Sequence, residues 1–229
     1  LPLIEQAMDR VPEIEALIFV PKGAPEPADI MNRTERPEMT PVRANMLRLL
    51  VEYCVLGYEL TLLEVQKILY FLQIAGEPLR LRFAKGHYGP YADNLRHVLN
   101  RFEGHFIEGF GDGRNSPQTP IRLLDDAVSE AVKVSEAYST PEQKDRVRRV
   151  FDLIEGFESP YGMELLASVH WVADQEGVPN DPEAVTRAVH AWNDRKRTVM
   201  RPEHIQVAWK RLADLGWLDR ANSSRIDPE

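Results

Sequence analysis

The chain has 229 residues, of which 28 are Lys or Arg and 36 are Asp or Glu, so its formal net charge is −8 at pH 7. This balance disfavours a generic binder of nucleic acid or anionic membranes, which needs a basic surface to displace counterions. A hydrophobic content of 43% excludes disorder of the whole chain. No apolar run reaches the roughly 18 to 20 residues of a membrane span. The one cysteine, Cys54, fits a reducing compartment, so we predict a cytoplasmic protein.

The first 39 residues divide into two segments. Residues 1–20 begin without Met, in the middle of a helical pattern, and end in the short strand-like run 16–20. Because so short a segment supplies no sheet for that strand, we expect it to be the end of another domain and the chain to be a fragment. Frequent prolines then predict a linker at 21–39. A helical domain at 40–220 and a tail at 221–229 are expected to follow.

Local capping signals predict where the helices of the main domain begin. Thr61 is followed three residues later by Glu64, the spacing of a capping box. Elsewhere a side-chain oxygen precedes proline, which suits the first position of a helix because its missing amide has no partner there. This pair occurs at Thr40-Pro41, Thr140-Pro141, Ser159-Pro160 and Asp181-Pro182. A last helix is predicted from Pro202 to just before Gly216.

Strand signals are few and short. Leu79 to Ala84 alternates apolar and basic residues, and Phe106-Ile107 and Ile121 to Leu124 are two further candidates, separated by a loop rich in Gly, Asn, Ser and Pro. The predicted fold class is therefore mainly α (α+β). It is a helical domain with a small β-hairpin or wing, for which a winged-helix-like arrangement is one alternative.

No residue pattern predicts a catalytic centre, a metal site or a cofactor. His87, His97 and His105 are spaced neither like a helical pair nor like zinc ligands. Cys54 lies in an apolar helical stretch, where burial keeps a thiol protonated and unreactive. A nucleophile elbow is absent, and the glycine-rich loop at 109–113 leads into no helix, unlike a phosphate-binding loop.

The stretch 66–102 is the most unusual part of the chain. It is rich in aromatic residues, and from 77 to 101 it contains five basic and two acidic residues, a local charge of +3 in a chain of −8. One interpretation is a surface patch that stacks bases and contacts phosphates. The other is that Tyr88 and Tyr91 pack the corner between a strand and a helix while the arginines stay in water. The sequence leaves both open.

Several segments resemble a known family. Residues 62–112, including LLEVQKILYFLQIAGEPLRLRFAKGHYGPYADNL, look like the C-terminal domain of the DarG antitoxin family. DLIEGFESPYGMELLASVHWVA, AWNDRKR and RLADLGWL, at 152–173, 191–197 and 211–218, match it in the same order. The opening LPLIEQAMDRVPEIEALIFVP is similar to the last helix and strand of the macrodomain that precedes this domain in DarG.

The resemblance implies a partner and a division of labour. DarG proteins counteract DarT, a toxin that transfers ADP-ribose from NAD to thymine in single-stranded DNA. They remove the modification with the macrodomain and bind the toxin with the C-terminal domain. The catalytic residues of the macrodomain are expected upstream of Leu1. The resemblance therefore predicts that the fragment itself is not an enzyme, although its parent protein is a DNA ADP-ribosyl glycohydrolase.

The leading hypothesis is an antitoxin domain that binds and occludes a DarT-like toxin. Carboxylates taking the place of DNA phosphates in the basic groove of the toxin would make this acidic mimicry of the substrate. Aromatic residues are expected to anchor the interface. The candidate contacts are Tyr88, Tyr91, Glu108, Asp112, Asp152, Glu155, Glu158 and Tyr161.

The alternative hypothesis is a DNA-binding autorepressor. A helix over 182–196, the segment NDRKRTVMR and a helix over 202–214 would then form a winged-helix-like unit. Its candidate phosphate contacts are Arg195, Lys196, Arg197 and Arg201.

Overall fold

A computed structural model describes residues 35–54, 60–111 and 116–219, which belong to the compact unit Thr34–Glu229. The segment predicted to be a macrodomain remnant, 1–20, most of the predicted linker and the tail at 221–229 lie outside the described residues, as does Asp112.

The described residues form a mainly helical fold with two small antiparallel sheets, which confirms the predicted class at that level. The winged-helix arrangement stays a prediction. In chain order the elements are α1 Pro41–Cys54, α2 Leu62–Ile74, β1 Phe83–Gly86, β2 Gly89–Ala92, α3 Leu95–Phe102, β3 Ile107–Glu108, β4 Arg122–Leu123, α4 Asp125–Tyr138, α5 Pro141–Ile154, α6 Pro160–His170, a π-helical turn Trp171–Gln175, α7 Pro182–Trp192, α8 Asp194–Val199 and α9 Pro202–Asp214.

The helix starts agree with the capping signals. Thr140, Ser159 and Asp181 each accept a hydrogen bond from a backbone amide in the first turn of the helix that follows. Thr61 and Glu64 form the predicted capping box. Helix α4 was not among the predicted starts, because the residue before it is Leu124, which has no side-chain oxygen to signal a cap.

One helix prediction is wrong. The helix expected over 182–196 ends at Trp192, and a separate short helix runs over Asp194–Val199. Asn193 lies between them in an extended conformation, and its side-chain oxygen accepts a hydrogen bond from the Lys196 amide at 2.8 Å. The side chain of Asn193 therefore ends one helix and caps the next.

The first predicted strand is shorter and later than expected. It begins at Phe83 rather than Leu79 and pairs with β2 in antiparallel register, Phe83 opposite Ala92. Before it, side chains rather than a strand satisfy the backbone, since Gln73 bonds both polar groups of Leu81 and Asn94 accepts from the Arg82 amide. The two further strand candidates, Phe106-Ile107 and Ile121 to Leu124, contribute the strands of a second sheet, with Ile107 opposite Leu123.

Helices α2 and α6 form the centre of the molecule. Every residue of α2 except Gln73 is buried, and all of α6 from Gly162 to His170 is buried. The two helices pack against each other and against β2. Polar side chains on these helices therefore face protein on every side. In the part of the chain that the structure describes, no helix is long and apolar enough to cross a membrane.

Candidate functional site

The turn between β1 and β2 is held by side chains from distant parts of the chain. The Trp192 indole donates to the Gly86 carbonyl at 3.0 Å, and the Asn193 amide donates to the His87 carbonyl at 3.1 Å. Both contacts span 106 residues of sequence. The junction between α7 and α8 therefore secures the first half of the turn.

Helix α2 holds the second half. Lys67 Nζ donates to the Pro90 carbonyl at 2.7 Å. Gln66 bonds both polar backbone groups of Ala92, at 3.1 Å and 3.0 Å. Because these bonds are buried, losing one leaves an unsatisfied polar group, so the turn has little freedom to move.

A buried ionic network lies beneath the turn. Glu164 of α6 accepts from Lys196 Nζ at 2.8 Å and from the Arg195 guanidinium, and Lys196 also donates to Ser168 Oγ at 2.8 Å. The Arg195 guanidinium carbon lies 4.7 Å from the centroid of the Tyr88 ring, a cation–π distance. The network thus joins α6 and α8 to an aromatic side chain of the turn.

Burial changes the proton affinity of the lysines in this region. It lowers the pKa of Lys67 to about 7, and the neighbouring charge of Lys196 acts in the same direction. Burial also lowers the pKa of Lys196, although the Glu164 carboxylate opposes that shift. Two lysines therefore share one buried carboxylate, and Lys67 is the one whose charge is poorly compensated.

A cleft of about 660 Å³ opens beside the turn. It lies between the first half of α2, the turn and α3, with Phe110 and Pro117 on its far side. Tyr88 and Tyr91 both line it, and Tyr91 is 43% exposed. The two tyrosines are therefore surface features of the cleft, and Tyr88 also packs against Arg195.

Three of the acidic candidates, Asp152, Glu155 and Glu158, lie at the α5–α6 corner. Asp152 is exposed and its carbonyl accepts from Arg211. The Glu155 side chain is 80% exposed and lies 3.3 Å from Arg211, whereas Glu158 accepts from the Gly156 amide at 2.7 Å. Asp152 and Glu155 thus present carboxylates to solvent, while Glu158 stabilises the local turn.

The remaining toxin-binding candidates have partners within the chain. Tyr161 contacts His204 through its hydroxyl, 2.8 Å from Nδ1. Glu108 forms an ion pair with Arg122 across the small sheet. The structure thus brings Tyr88 and Tyr91 together at the cleft, groups Tyr161 with the α5–α6 corner, and puts Glu108 on β3.

Only some of the basic residues in the autorepressor hypothesis are available to contact DNA phosphates. Lys196 is fully buried in the network, so it is wrong as a phosphate contact in this conformation. Arg195 is engaged with Glu164 and Tyr88, and its side chain is 31% exposed. Arg197 is exposed but paired with Asp194, and Arg201 is exposed immediately before α9.

The thiol of Cys54 is half-buried, and burial raises its pKa, the direction expected for an unreactive thiol. Within residues 35–54, 60–111 and 116–219, no three His, Cys, Asp or Glu side chains are grouped as metal ligands.

The sequence patterns did not predict the roles of the polar residues that hold the turn and form the network beneath it. Their signal was a polar residue inside an otherwise apolar helix, as in LLEVQKILYFLQI and PYGMELLASVH. A buried polar side chain needs a partner, so Gln66, Lys67 and Glu164 each implied a contact. The sequence alone does not say with what.

Comparison with known proteins identifies relatives but no family model that matches the chain. A protein of Thermus aquaticus named DNA ADP-ribosyl glycohydrolase is 41% identical over 223 residues, 95% of this chain. Proteins of the same name from Mycobacterium bovis and Mycobacterium tuberculosis are 35% identical over 221 residues, 90% of this chain. The chain spans about three fifths of the length of these curated relatives (60% and 61%).

These relatives correct one expectation. The resemblance predicted that the chain is not an enzyme, yet proteins that match 90 to 95% of it are named as one. That prediction is therefore wrong.

Proposed function

We propose that the chain is part of a DNA ADP-ribosyl glycohydrolase, and that its described residues bind and occlude a DarT-like toxin in the cytoplasm. The first half of the proposal is supported by the names of the relatives. The second is supported by the likeness of 62–112, 152–173, 191–197 and 211–218 to the toxin-binding domain of DarG.

The observation that carries toxin binding is the tethering of the turn 86–92. Side chains from α2 and from the α7–α8 junction fix its backbone, and Arg195 contacts Tyr88 from the network beneath. A rigid surface loses little conformational entropy on association, which favours affinity. Tyrosine is among the residues that dominate binding energy when they become buried in an interface.

The exposed carboxylates of the α5–α6 corner supply the acidic half of the proposal. Asp152 and Glu155 are turned to solvent. In a basic groove of the toxin they take the positions of DNA phosphates and compete with the nucleic-acid substrate. The proposed interface therefore consists of the tethered turn and this corner, which both contact the toxin.

A binding experiment with the purified 229-residue chain and the toxin tests the proposal. We expect a complex at micromolar concentration or below, and Tyr91→Ala should weaken it at least about tenfold, because a buried aromatic hot spot contributes roughly 2 kcal/mol. Tyr138→Ala is the matched control, since Tyr138 is 71% exposed on α4 and does not line the cleft beside the turn. No complex at micromolar concentration would overturn the proposal, and equal affinities of the two variants would remove the turn from it.

A further inference from the structure

The cleft beside the turn has the form of a small-molecule site. Its volume of about 660 Å³ lies within the range of roughly 300 to 1,000 Å³ usual for such sites. Leu62, Leu63, Leu99 and Phe110 supply apolar lining, and Tyr91 adds an aromatic ring. This lining suits a flat, largely apolar group.

The ionisable side chains that line the cleft include more basic than acidic groups. Lys67, Arg96 and His97 line it, against one carboxylate, Asp93, among the described lining residues. Arg96 lies 3.5 Å from Asp93, but both side chains are more than half exposed (57% and 71%), so the pair is weak and Arg96 is available to a ligand.

Lys67 adds a group whose charge the protein compensates only in part. It is 2% exposed, and its hydrogen bond within the described residues goes to the Pro90 carbonyl rather than to a carboxylate. Burial and the charge of Lys196 lower its pKa to about 7. An anion in the cleft would favour the charged form of Lys67 and would be stabilised by it in return.

We propose that this cleft binds a mononucleotide unit, with the base against the apolar lining and the phosphate at Arg96 and His97. A cleft that joins basic side chains to apolar and aromatic lining combines the two features by which proteins hold nucleotides without sequence preference. Of the five basic residues at 77–101, Arg96 is the one that lines the cleft. The inference rests on the lining of the cleft and not on the proposed toxin binding, although both involve Tyr91.

Isothermal titration calorimetry on the whole 229-residue chain tests the site with AMP, dTMP, adenosine and inorganic phosphate. We expect saturable binding of AMP or dTMP that is stronger than binding of adenosine or phosphate alone. Arg96→Gln should weaken it roughly tenfold or more, because a hydrogen bond to a charged group is lost. Arg82→Gln is the matched control, since Arg82 is exposed nearby in sequence but does not line the cleft.

The nucleotide unit has two sources: a free nucleotide in solution, or one nucleotide within a strand of single-stranded DNA. A further titration with octathymidylate distinguishes them. Tighter, salt-sensitive binding of the octamer than of dTMP assigns the cleft to single-stranded DNA, and the reverse assigns it to free nucleotides. Absence of saturable nucleotide binding at millimolar concentration would overturn the proposal. So would equal losses in Arg96→Gln and Arg82→Gln, or phosphate binding as strong as that of AMP.

Discussion

Gln66, Lys67 and Glu164 are polar residues inside apolar helices, and each has a specific task. Gln66 and Lys67 form hydrogen bonds with the backbone of the turn. Glu164 accepts hydrogen bonds from Arg195 and Lys196 of α8. Replacing Gln66 or Lys67 removes a buried hydrogen bond to the turn, and replacing Glu164 leaves the buried Lys196 without its carboxylate, at a cost of about 1 to 3 kcal/mol or more for charged groups. The conformation of the turn therefore depends on single side chains far from it in sequence.

Gly89 is the residue of the turn least able to accept a side chain. Its φ is +98°, and a Cβ there would lie 3.0 Å from Ser168 Oγ. We expect Gly89→Ala to lower the free energy of unfolding by at least roughly 1 to 2 kcal/mol, the cost of a left-handed conformation for an L-residue. The substitution should also weaken toxin binding, because Ser168 belongs to the network beneath Tyr88. Urea unfolding measures the first effect.

Gly111→Ala separates the backbone cost from the steric one. Gly111 has a φ of +59°, but a Cβ there would meet no atom of the described residues within 4 Å, apart from its own chain neighbours. It should lose less stability than Gly89→Ala and leave toxin affinity unchanged. Equal effects of the two substitutions would contradict the close contact assigned to Gly89.

Lys67 should make stability depend on pH. Its pKa is lowered to about 7 in the folded protein, against about 10.4 for an ordinary lysine, so between these values the unfolded chain binds more protons. The free energy of unfolding should therefore rise with pH from about 7 to 10, by up to about 1.4 kcal/mol per pH unit for one proton.

The variant Lys67→Met tests this assignment. It should flatten the dependence of the unfolding free energy on pH between about 7 and 10, because the titrating group is gone. Lys133→Met, at an exposed lysine of α4, is the control and should show the same dependence of the unfolding free energy on pH as the unsubstituted chain. A profile that Lys67→Met leaves unaltered would contradict the lowered pKa.

At the scale of elements, the junction between α7 and α8 does two things with one residue. Asn193 caps α8 through its oxygen, and its amide nitrogen donates to the His87 carbonyl. Asp181, by contrast, caps α7 with a 2.7 Å bond from the Ala184 amide. The break in the predicted helix over 182–196 is thus what brings α8 against the turn.

Asn193→Ala and Asp181→Ala form a matched pair. Each should lower the free energy of unfolding by about 1 kcal/mol, the usual cost of losing a cap. Only Asn193→Ala should also weaken toxin binding, because it alone frees the carbonyl of His87. Thermal unfolding and a binding titration on both variants check this, and equal affinities would show that the tether does not contribute to the interface.

At the scale of the whole molecule, the net charge of −8 conceals an uneven distribution. The cleft has basic lining, whereas exposed carboxylates occupy the end of α5 and the loop after it. Long-range attraction between opposite charges raises the rate of encounter more than it lengthens the life of a complex. The acidic corner should therefore affect the association rate constant of chain and toxin.

We expect the association rate constant of chain and toxin to fall with added NaCl, since screening shortens the Debye length from about 10 Å at 0.1 M to about 3 Å at 1 M. Glu155→Lys should lower that rate constant and reduce its dependence on salt. Glu136→Lys, the same change at an exposed position of α4, should do so to a smaller extent. Surface plasmon resonance measures both, and a rate constant independent of salt would discard the acidic contact.

The sequence by itself determined where most helices begin and that the fold is mainly helical. Those signals are local, because a cap and a proline act on amides within one turn of them. Local patterning also placed Leu81 and Phe83 inside and Arg80 and Arg82 outside. It misplaced the strand start, since the hydrogen bonds that replace pairing there come from Gln73 and Asn94.

Only the tertiary structure decided which residues make the candidate site. Trp192 and Asn193 meet the turn across 106 residues, and no local pattern encodes such a pairing. The same holds for Lys196, which reads as a surface cation in NDRKRTVMR yet is buried because Glu164, 32 residues away, offers a carboxylate inside α6. Burial and partner choice are set by packing between elements, whereas a sequence pattern reports only what neighbours along the chain do to one another.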